Sequence, residues 1–322
     1  MALLDISDLA VAFGPSGRST TVVDGVSFAV EPHETVALVG ESGSGKSVTA
    51  LAVMRLLQEP GRLTRGVIRF EGRDLAALDE RAMATIRGDR IAMIFQEPMS
   101  SLNPLLSVGA HVAEPLRLHR GLSKRDARAR AIALLDRVGI PSAARRYDDY
   151  PHRLSGGMRQ RVMIAAALAC EPALLIADEP TTALDVTIQA QIMDLLSDLQ
   201  AEFGMGILFI THDLGIVAEH AHRVVVMYAG RVVERAETAT LFAAAAHPYS
   251  AALLRCVPDE EASDRLAVIE GTVPAPTDLP SGCRFQPRCT HAVDACRAAD
   301  PPLAPRGPDH VAACIRPLDA VA

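Results

Sequence analysis

The stretch GESGSGKS, residues 40–47, fits the pattern G-x-x-x-x-G-K-[ST] at every constrained position. It follows a short apolar run, ETVALVG (34–40), and opens a helix-like stretch from Lys46 to about Leu57. Glycines are needed there because a backbone that wraps closely around phosphate oxygens adopts conformations that a side chain would block. Amide N–H groups and the helix N-terminus then offer positive potential to a polyphosphate. Lys46 is placed to reach β/γ-phosphates and Ser47 to ligate Mg²⁺, while Gly40, Glu41, Ser42, Gly43, Ser44, Gly45 and Val48 complete the nucleotide loop. A glycine-rich turn before a helix is the plain alternative, and the strand–loop–helix context argues against it.

LLIADEP (174–180) supplies a complement, an apolar run ending in two acids. Asp178 is the candidate Mg²⁺ ligand, and Glu179 the candidate general base that polarises an attacking water. A strand end with exposed acids is common in isolation; beside a phosphate loop it gains a chemical purpose.

Around these anchors the pattern is α/β. Residues 3–13 and 21–30 alternate like strands, 66–75 and 90–96 read as further strands, and GILFITHD (206–213) returns to a buried β-run. VVVMYAGRVVERA (224–236) reads as a hairpin turning at Ala229-Gly230. Buried strands alternating with helices predict a largely parallel sheet covered on both faces. From about 97 to 153 the pattern is helical, an insertion into that scheme. Beyond His247 prolines accumulate, nine of them from Pro274 onward, and 255–322 reads as an irregular extension held by something other than a large core.

Bulk composition limits the function classes. The chain has 322 residues, 49% hydrophobic and 22% charged, as in folded globular proteins, and its net charge of −7 speaks against a general nucleic-acid binder. The N-terminal MALLDISDLAVAF carries acids and is no signal peptide, and the longest apolar runs, MIAAALA (163–169) and ALLIA (173–177), are too short to span a bilayer. A cytosolic address follows as the expectation, where structural disulfides are rare.

LSGGMRQR (154–161), just upstream of the acidic strand, makes the chain resemble the nucleotide-binding subunits of ABC transporters over roughly residues 3–254. Further motifs stand in register: Phe13 at the adenine-stacking position, where the family more often has Tyr; Gln96 in FQEPMSSLNP as the Q-loop; ALD (183–185), with Asp185, as the D-loop; and His212 in ITHD as the switch histidine. The resemblance implies a P-loop NTPase fold with a RecA-like parallel-sheet core and an antiparallel β subdomain, in an ATP-binding domain over 1–254 whose helical subdomain covers about 97–153. It also implies catalytic roles for Glu179, His212 and Gln96, Mg²⁺ ligation by Ser47, Gln96 and Asp178, and a head-to-tail dimer. In that dimer Leu154, Ser155, Gly156, Gly157 and Met158 cover the ATP held by the other subunit. Ser155 is a plausible N-cap, and the two glycines leave the following helix N-terminus open to an anion.

HPYSAALL (247–254) and GTVPAPTDLPSGCRFQPRC (271–289) are similar to the C-terminal extension of oligopeptide/dipeptide importers, D-type branch. That implies a second, F-type ATPase subunit as dimer partner, two membrane permeases, an extracytoplasmic binding protein and a place on the cytoplasmic face of the inner membrane. Nickel and other small-solute importers share the architecture. Of two rivals, a soluble ABC ATPase acting on DNA or ribosomes usually carries two ATPase domains or a long coiled-coil insertion, neither present in this sequence, and a P-loop kinase leaves the LSGGM loop without a role.

Between Arg117 and Arg161 twelve Arg/Lys stand against four Asp. Either anionic lipid and acidic partners explain this, or a solvated helical face does. Four of six cysteines, Cys283, Cys289, Cys296 and Cys314, are spaced C-x5-C-x6-C-x17-C in the extension. A four-thiolate set suits zinc or a [4Fe–4S] cluster; no gap is as short as the C-x2–4-C pairs of structural zinc sites. Peptide-importer ATPases with a similar extension are associated with the cluster, and free or redox-active thiols are the remaining reading. Cys170 reads as a buried small hydrophobe.

Overall fold

A computed structural model describes residues 2–15, 17–96, 101–181, 185–256 and 268–318. Its strands are β1 (Leu4–Phe13), β2 (Thr20–Val30), β3 (Thr35–Val39), β4 (Gly61–Phe70), β5 (Arg73–Asp74), β6 (Ile91–Ile94), β7 (Leu174–Asp178), β8 (Gly206–Thr211), β9 (Arg223–Tyr228), β10 (Arg231–Glu237), β11 (Ala304–Gly307) and β12 (His310–Ala312). The helices are α1 (Lys46–Val53), α2 (Glu80–Ile86), α3 (Val108–Arg120), α4 (Lys124–Arg137), α5 (Ala143–Arg146), α6 (Gly156–Leu168), α7 (Val186–Phe203), α8 (Leu214–His220), α9 (Thr238–Ala244), α10 (Pro248–Arg255) and α11 (Ala295–Ala298). They fall into two compact units, one of Met1–Val30, Thr35–Ala76 and Phe209–Ala322, the other of Glu31–Glu34 and Ala77–Leu208.

In the first unit β2, β1, β4 and β5 form an antiparallel sheet in that order. A second sheet has the order β11–β12–β10–β9–β3, with β3 parallel to β9. Every residue of β3 is buried, which is why its sequence is an unbroken apolar run rather than an alternation. The β9–β10 hairpin turns at Ala229 (φ 45°) and Gly230 (φ 84°), as the sequence predicts. Two consecutive positive φ angles match the right-handed twist of the flanking strands, and a Cβ at Gly230 would lie 2.2 Å from Val22 O.

Two boundaries and one helix differ from the sequence reading. Helix α1 stops at Val53 instead of Leu57 because Arg55 turns left-handed (φ 51°). Strand β4 starts at Gly61 rather than 66, drawn out by pairing with β1 as far as Phe13. Helix α2, capped by the Asp79 side chain accepting from Ala82 N, was not foreseen. The start of the expected helical block, 97–100, lies outside the described residues.

The C-terminal extension is largely irregular but not wholly so. Strand β12 adds antiparallel to β10, and β11 returns beside it. Phe285 inserts among Tyr228, Tyr249 and His247, with ring centroids 5.2, 5.2 and 5.9 Å away. Arg284 pairs with Asp24 at 2.6 Å, and Arg231 with Asp300 at 2.6 Å. Phe285→Ala deletes the largest apolar anchor, so we expect a loss of about 3 kcal/mol, read by denaturant unfolding of the full chain; a loss below about 1 kcal/mol contradicts the anchoring.

In the second unit β6 runs parallel to β7. Helix α3 packs on α4 and α6. Ser107 caps α3 and Ser123 caps α4, each side chain accepting a first-turn N–H, and α3 ends on left-handed Gly121.

Candidate functional site

In the first unit, the chain leaves β3 through Gly40 (φ 147°) and enters α1 through Gly45 (φ 100°). A Cβ at Gly40 would lie 2.2 Å from Met227 O, so only glycine fits this approach of loop to strand β9. Ser42 and Gly43 form the exposed crest, while Ser44, Gly45 and Lys46 are buried and Ser47 and Val48 half-buried. The Lys46 ammonium donates to Gly40 O at 2.7 Å and Glu41 O at 3.1 Å. The loop therefore holds its lysine by its own carbonyls, inside the curve of the backbone. Ser44 Oγ is buried with no partner among the described residues. The glycine cradle, the inward lysine and this orphaned hydroxyl suit a polyphosphate.

Phe13, half-buried at the end of β1, lies over Gly61, where a Cβ would come within 2.6 Å of its ring. His212 is exposed on the turn from β8 to α8, a turn fixed by Asp213, whose N–H donates to Thr211 Oγ1 and whose carboxylate caps Gly215 N and Ile216 N. With Gly40 and Glu41 it lines a cavity of about 320 Å³.

The second unit carries the remaining motif residues. Asp178 ends the fully buried β7, and Glu179 follows in a left-handed conformation (φ 46°). Such a φ costs a non-glycine residue on the order of 1 kcal/mol, and it turns the carboxylate off the strand line. Gln96 Nε2 donates to Glu179 Oε2 at 2.9 Å, so the structure brings the Q-loop glutamine onto the candidate base. Ser155 caps α6, its Oγ accepting from Met158 N at 3.4 Å. Leu154 is buried beneath the exposed Ser155 and Gly156, while Gly157 and Met158 are half-buried. The first turn of α6 carries no acid. Asp185 caps α7, accepting from Ile188 N at 2.9 Å; the D-loop residues Ala183 and Leu184 lie outside the described residues.

Several arginines of the basic block form local ion pairs. Arg128 pairs with Asp148, Arg130 with Glu171, Arg137 with Glu202, and Arg146 and Arg153 with Asp149.

Cys283, Cys289, Cys296 and Cys314 line one small, mainly apolar pocket with Phe285 and Ile315. Cys283 N–H donates to Cys296 O at 2.8 Å. Burial pushes the Cys283 thiol up to about 11, and also raises Cys289 and Cys314. Among the described residues, no group of three or more His, Cys, Asp and Glu is arranged to hold a metal ion. The four thiols share this pocket, and four thiolates are the donor set that a zinc ion or a [4Fe–4S] cluster takes. Cys170 is buried, as expected.

Sequence reasoning missed two buried polar groups that the extension depends on, Glu234 on β10 and His247 at the start of α10. Glu234 is fully buried and accepts from Ala246 N, His247 N and His310 Nε2 at 2.6, 2.9 and 2.7 Å, tying β12 to the start of α10. His247 accepts from Tyr249 N, and burial pushes its pKa down to about 3 from the ordinary 6.5. The folded chain thus holds it neutral, while the unfolded chain protonates it below about 6.5, so its contribution is present above that pH and fades as pH falls toward 3. His247→Asn keeps a capping oxygen but does not titrate; we expect a shallower loss of stability between pH 6.5 and 4, measured by urea midpoints, and an unchanged slope contradicts this.

Known proteins share this arrangement. The model for ABC transporter matches residues 23–182, and that for the oligopeptide/dipeptide transporter C-terminal region matches 233–296. The chain is 50% identical over 320 residues to the dipeptide transport ATP-binding protein DppD of Escherichia coli K12, covering 99% of this chain and 98% of that one. It is 55% identical over 327 residues to a Brucella melitensis chain named as a peptide import ATP-binding protein, covering 98% and 97%. Among solved structures, the ATP-binding cassette MJ0796, a post-hydrolysis dimer bound to ADP and Pi, superposes with a TM-score of 0.66 at 30% identity, covering 73% of this chain and 98% of that one. CbiO1 from Clostridium perfringens, part of the cbiONQ transporter complex, gives a TM-score of 0.64 at 29% identity, covering 75% and 91%.

Proposed function

The chain belongs to the ATP-binding subunits of ABC transporters, and from that membership we propose that it drives peptide import through partner permeases by binding and hydrolysing MgATP. The observation that carries this reading is the joining of two signatures in one chain: a glycine loop built for polyphosphate and an HPY–cysteine extension matching the peptide-transporter region. The curated relatives named for peptide import match over nearly the full length. Among the described residues no helix is long and apolar enough to cross a membrane.

Individual roles follow from the residues. Gly40 to Val48 hold the triphosphate, with Lys46 against the β/γ-phosphates and Ser47 on Mg²⁺; Phe13 stacks on the adenine; His212 positions the γ-phosphate. Asp178 and Gln96 serve Mg²⁺, and Glu179 takes the proton of the attacking water. The Glu179–Gln96 hydrogen bond keeps that carboxylate oriented until nucleotide arrives. Leu154 to Met158 present the α6 N-terminus to the ATP of a second, F-type subunit, and Asp185 belongs to that dimer face. The work takes place on the cytoplasmic face of the membrane, beneath two permeases supplied by an extracytoplasmic binding protein.

Cys283, Cys289, Cys296 and Cys314 hold a [4Fe–4S] cluster, a redox-capable staple for a segment with little core of its own. Loading requires the thiols to lose protons, and burial raises Cys283, Cys289 and Cys314, so cluster loading weakens as pH falls. Anaerobic purification of the full chain should return about four irons and four sulfides per chain; about one zinc and no iron refutes this. Uptake by the reconstituted complex, compared among dipeptides, Ni²⁺ and glutathione, tests the cargo. Dipeptide accumulation is expected, and accumulation of Ni²⁺ alone overturns the assignment.

A further inference from the structure

A carboxylate inside a phosphate loop is an electrostatic liability, because it repels the ligand the loop exists to hold. Glu41 is that residue. Its carboxylate is taken up by Arg288, Nη1 to Oε2 at 2.6 Å and Nη2 to Oε1 at 2.9 Å, a parallel two-bond fork. Arg288 comes from the cysteine-bearing extension, on the 3-10 turn Gln286–Arg288 that ends at Cys289. Its side chain is only 5% exposed. The remaining donors are also placed: Nε to Glu270 O at 2.8 Å, Nη2 to Ile269 O at 3.2 Å and Nη1 to Tyr228 Oη at 3.4 Å.

The backbone of Glu41 is fixed as well. Its N–H donates to Oη of the fully buried Tyr249, at 2.9 Å, and its carbonyl accepts from Lys46. Side chain, N–H and carbonyl of this one residue are thus each held, two of the three by residues beyond position 247. All partners belong to the first unit.

We propose that Arg288 is a positioning residue for nucleotide binding: from the C-terminal extension it neutralises Glu41 and, with Tyr249, braces the outer side of the phosphate loop. The inference rests on the nucleotide role assigned to that loop. Two consequences separate it from simple packing. Loss of the guanidinium leaves a bare carboxylate beside the triphosphate, so ATP affinity falls while the catalytic carboxylate is untouched. Removing the carboxylate as well relieves the repulsion, so the second substitution rescues the first. Lysine cannot reproduce the two-bond fork and restores affinity only in part.

The test measures ATP affinity of the full chain by calorimetry, together with KM and kcat of the assembled transporter, for Arg288→Ala, Glu41→Gln and their combination. Arg288→Ala is expected to raise the ATP Kd and KM about tenfold with kcat changed less than about twofold. Adding Glu41→Gln is expected to bring Kd back to within about threefold of the parent. Parental affinity in Arg288→Ala, or no rescue by Glu41→Gln, overturns the proposal. If Arg288→Ala does not fold, Arg288→Gln keeps a polar side chain of similar reach and carries the same expectation. Lys46→Ala is the control for the underlying reading. If it too binds ATP normally, the loop assignment fails; if it loses ATP while Arg288→Ala does not, only this proposal fails.

Discussion

Glu179→Gln is expected to retain ATP binding and to lose turnover by about 10²- to 10⁴-fold, the range carried by a positioned general base. The amide keeps the size of the side chain and can still meet Gln96, whose Nε2 sits 2.9 Å from Glu179 Oε2. It cannot accept the water proton. The left-handed backbone at Glu179 is unaffected by the exchange, so the fold should tolerate it. Steady-state phosphate release and equilibrium ATP binding, measured on the same preparation, check both halves. Turnover within about threefold of the parent removes Glu179 as the base.

Lys46→Ala is expected to fail earlier, at binding. The ammonium is buried against two loop carbonyls, and a charge-assisted bond to phosphate is worth about 1.5–3 kcal/mol. By the usual conversion that is roughly ten- to a hundredfold in ATP affinity. Thermal stability should fall by about 1–3 kcal/mol, the cost of leaving the Gly40 and Glu41 carbonyls without their donor. A variant that binds ATP normally contradicts the assignment of the loop. One that merely unfolds would be distinguished by its melting curve in the absence of nucleotide, which should still show one cooperative transition.

These two residues were legible because the demands on them are local. A loop that must wrap phosphate needs glycine at fixed spacing, and Gly40, pressed against Met227 O, shows why the spacing admits no substitute. The apolar runs of β3 and β7 were equally plain, since strands buried on both faces need no alternation. Helix α1 was read too long because nothing in the sequence announces that a non-glycine residue, Arg55, turns left-handed. Strands β11 and β12 were missed because APRG and HVA carry no strand signal; their pairing comes from the edge that β10 offers.

Long-range polar contacts were the least legible. Arg288 and Glu41 are 247 positions apart, and only the folded extension brings them together. The one available hint was the acid itself, out of place in a phosphate loop. Glu234 gave no hint, since its burial against His310 and two backbone N–H groups is set by the tail strand.

Whether this chain turns ATP hydrolysis into peptide uptake can be measured in proteoliposomes. These would hold the chain, its two permeases and the second ATPase subunit, with binding protein added outside. Peptide-loaded binding protein is expected to accelerate ATP hydrolysis and labelled dipeptide to accumulate inside, both lost with Glu179→Gln. Hydrolysis indifferent to binding protein and peptide, with no accumulation, would contradict that coupling.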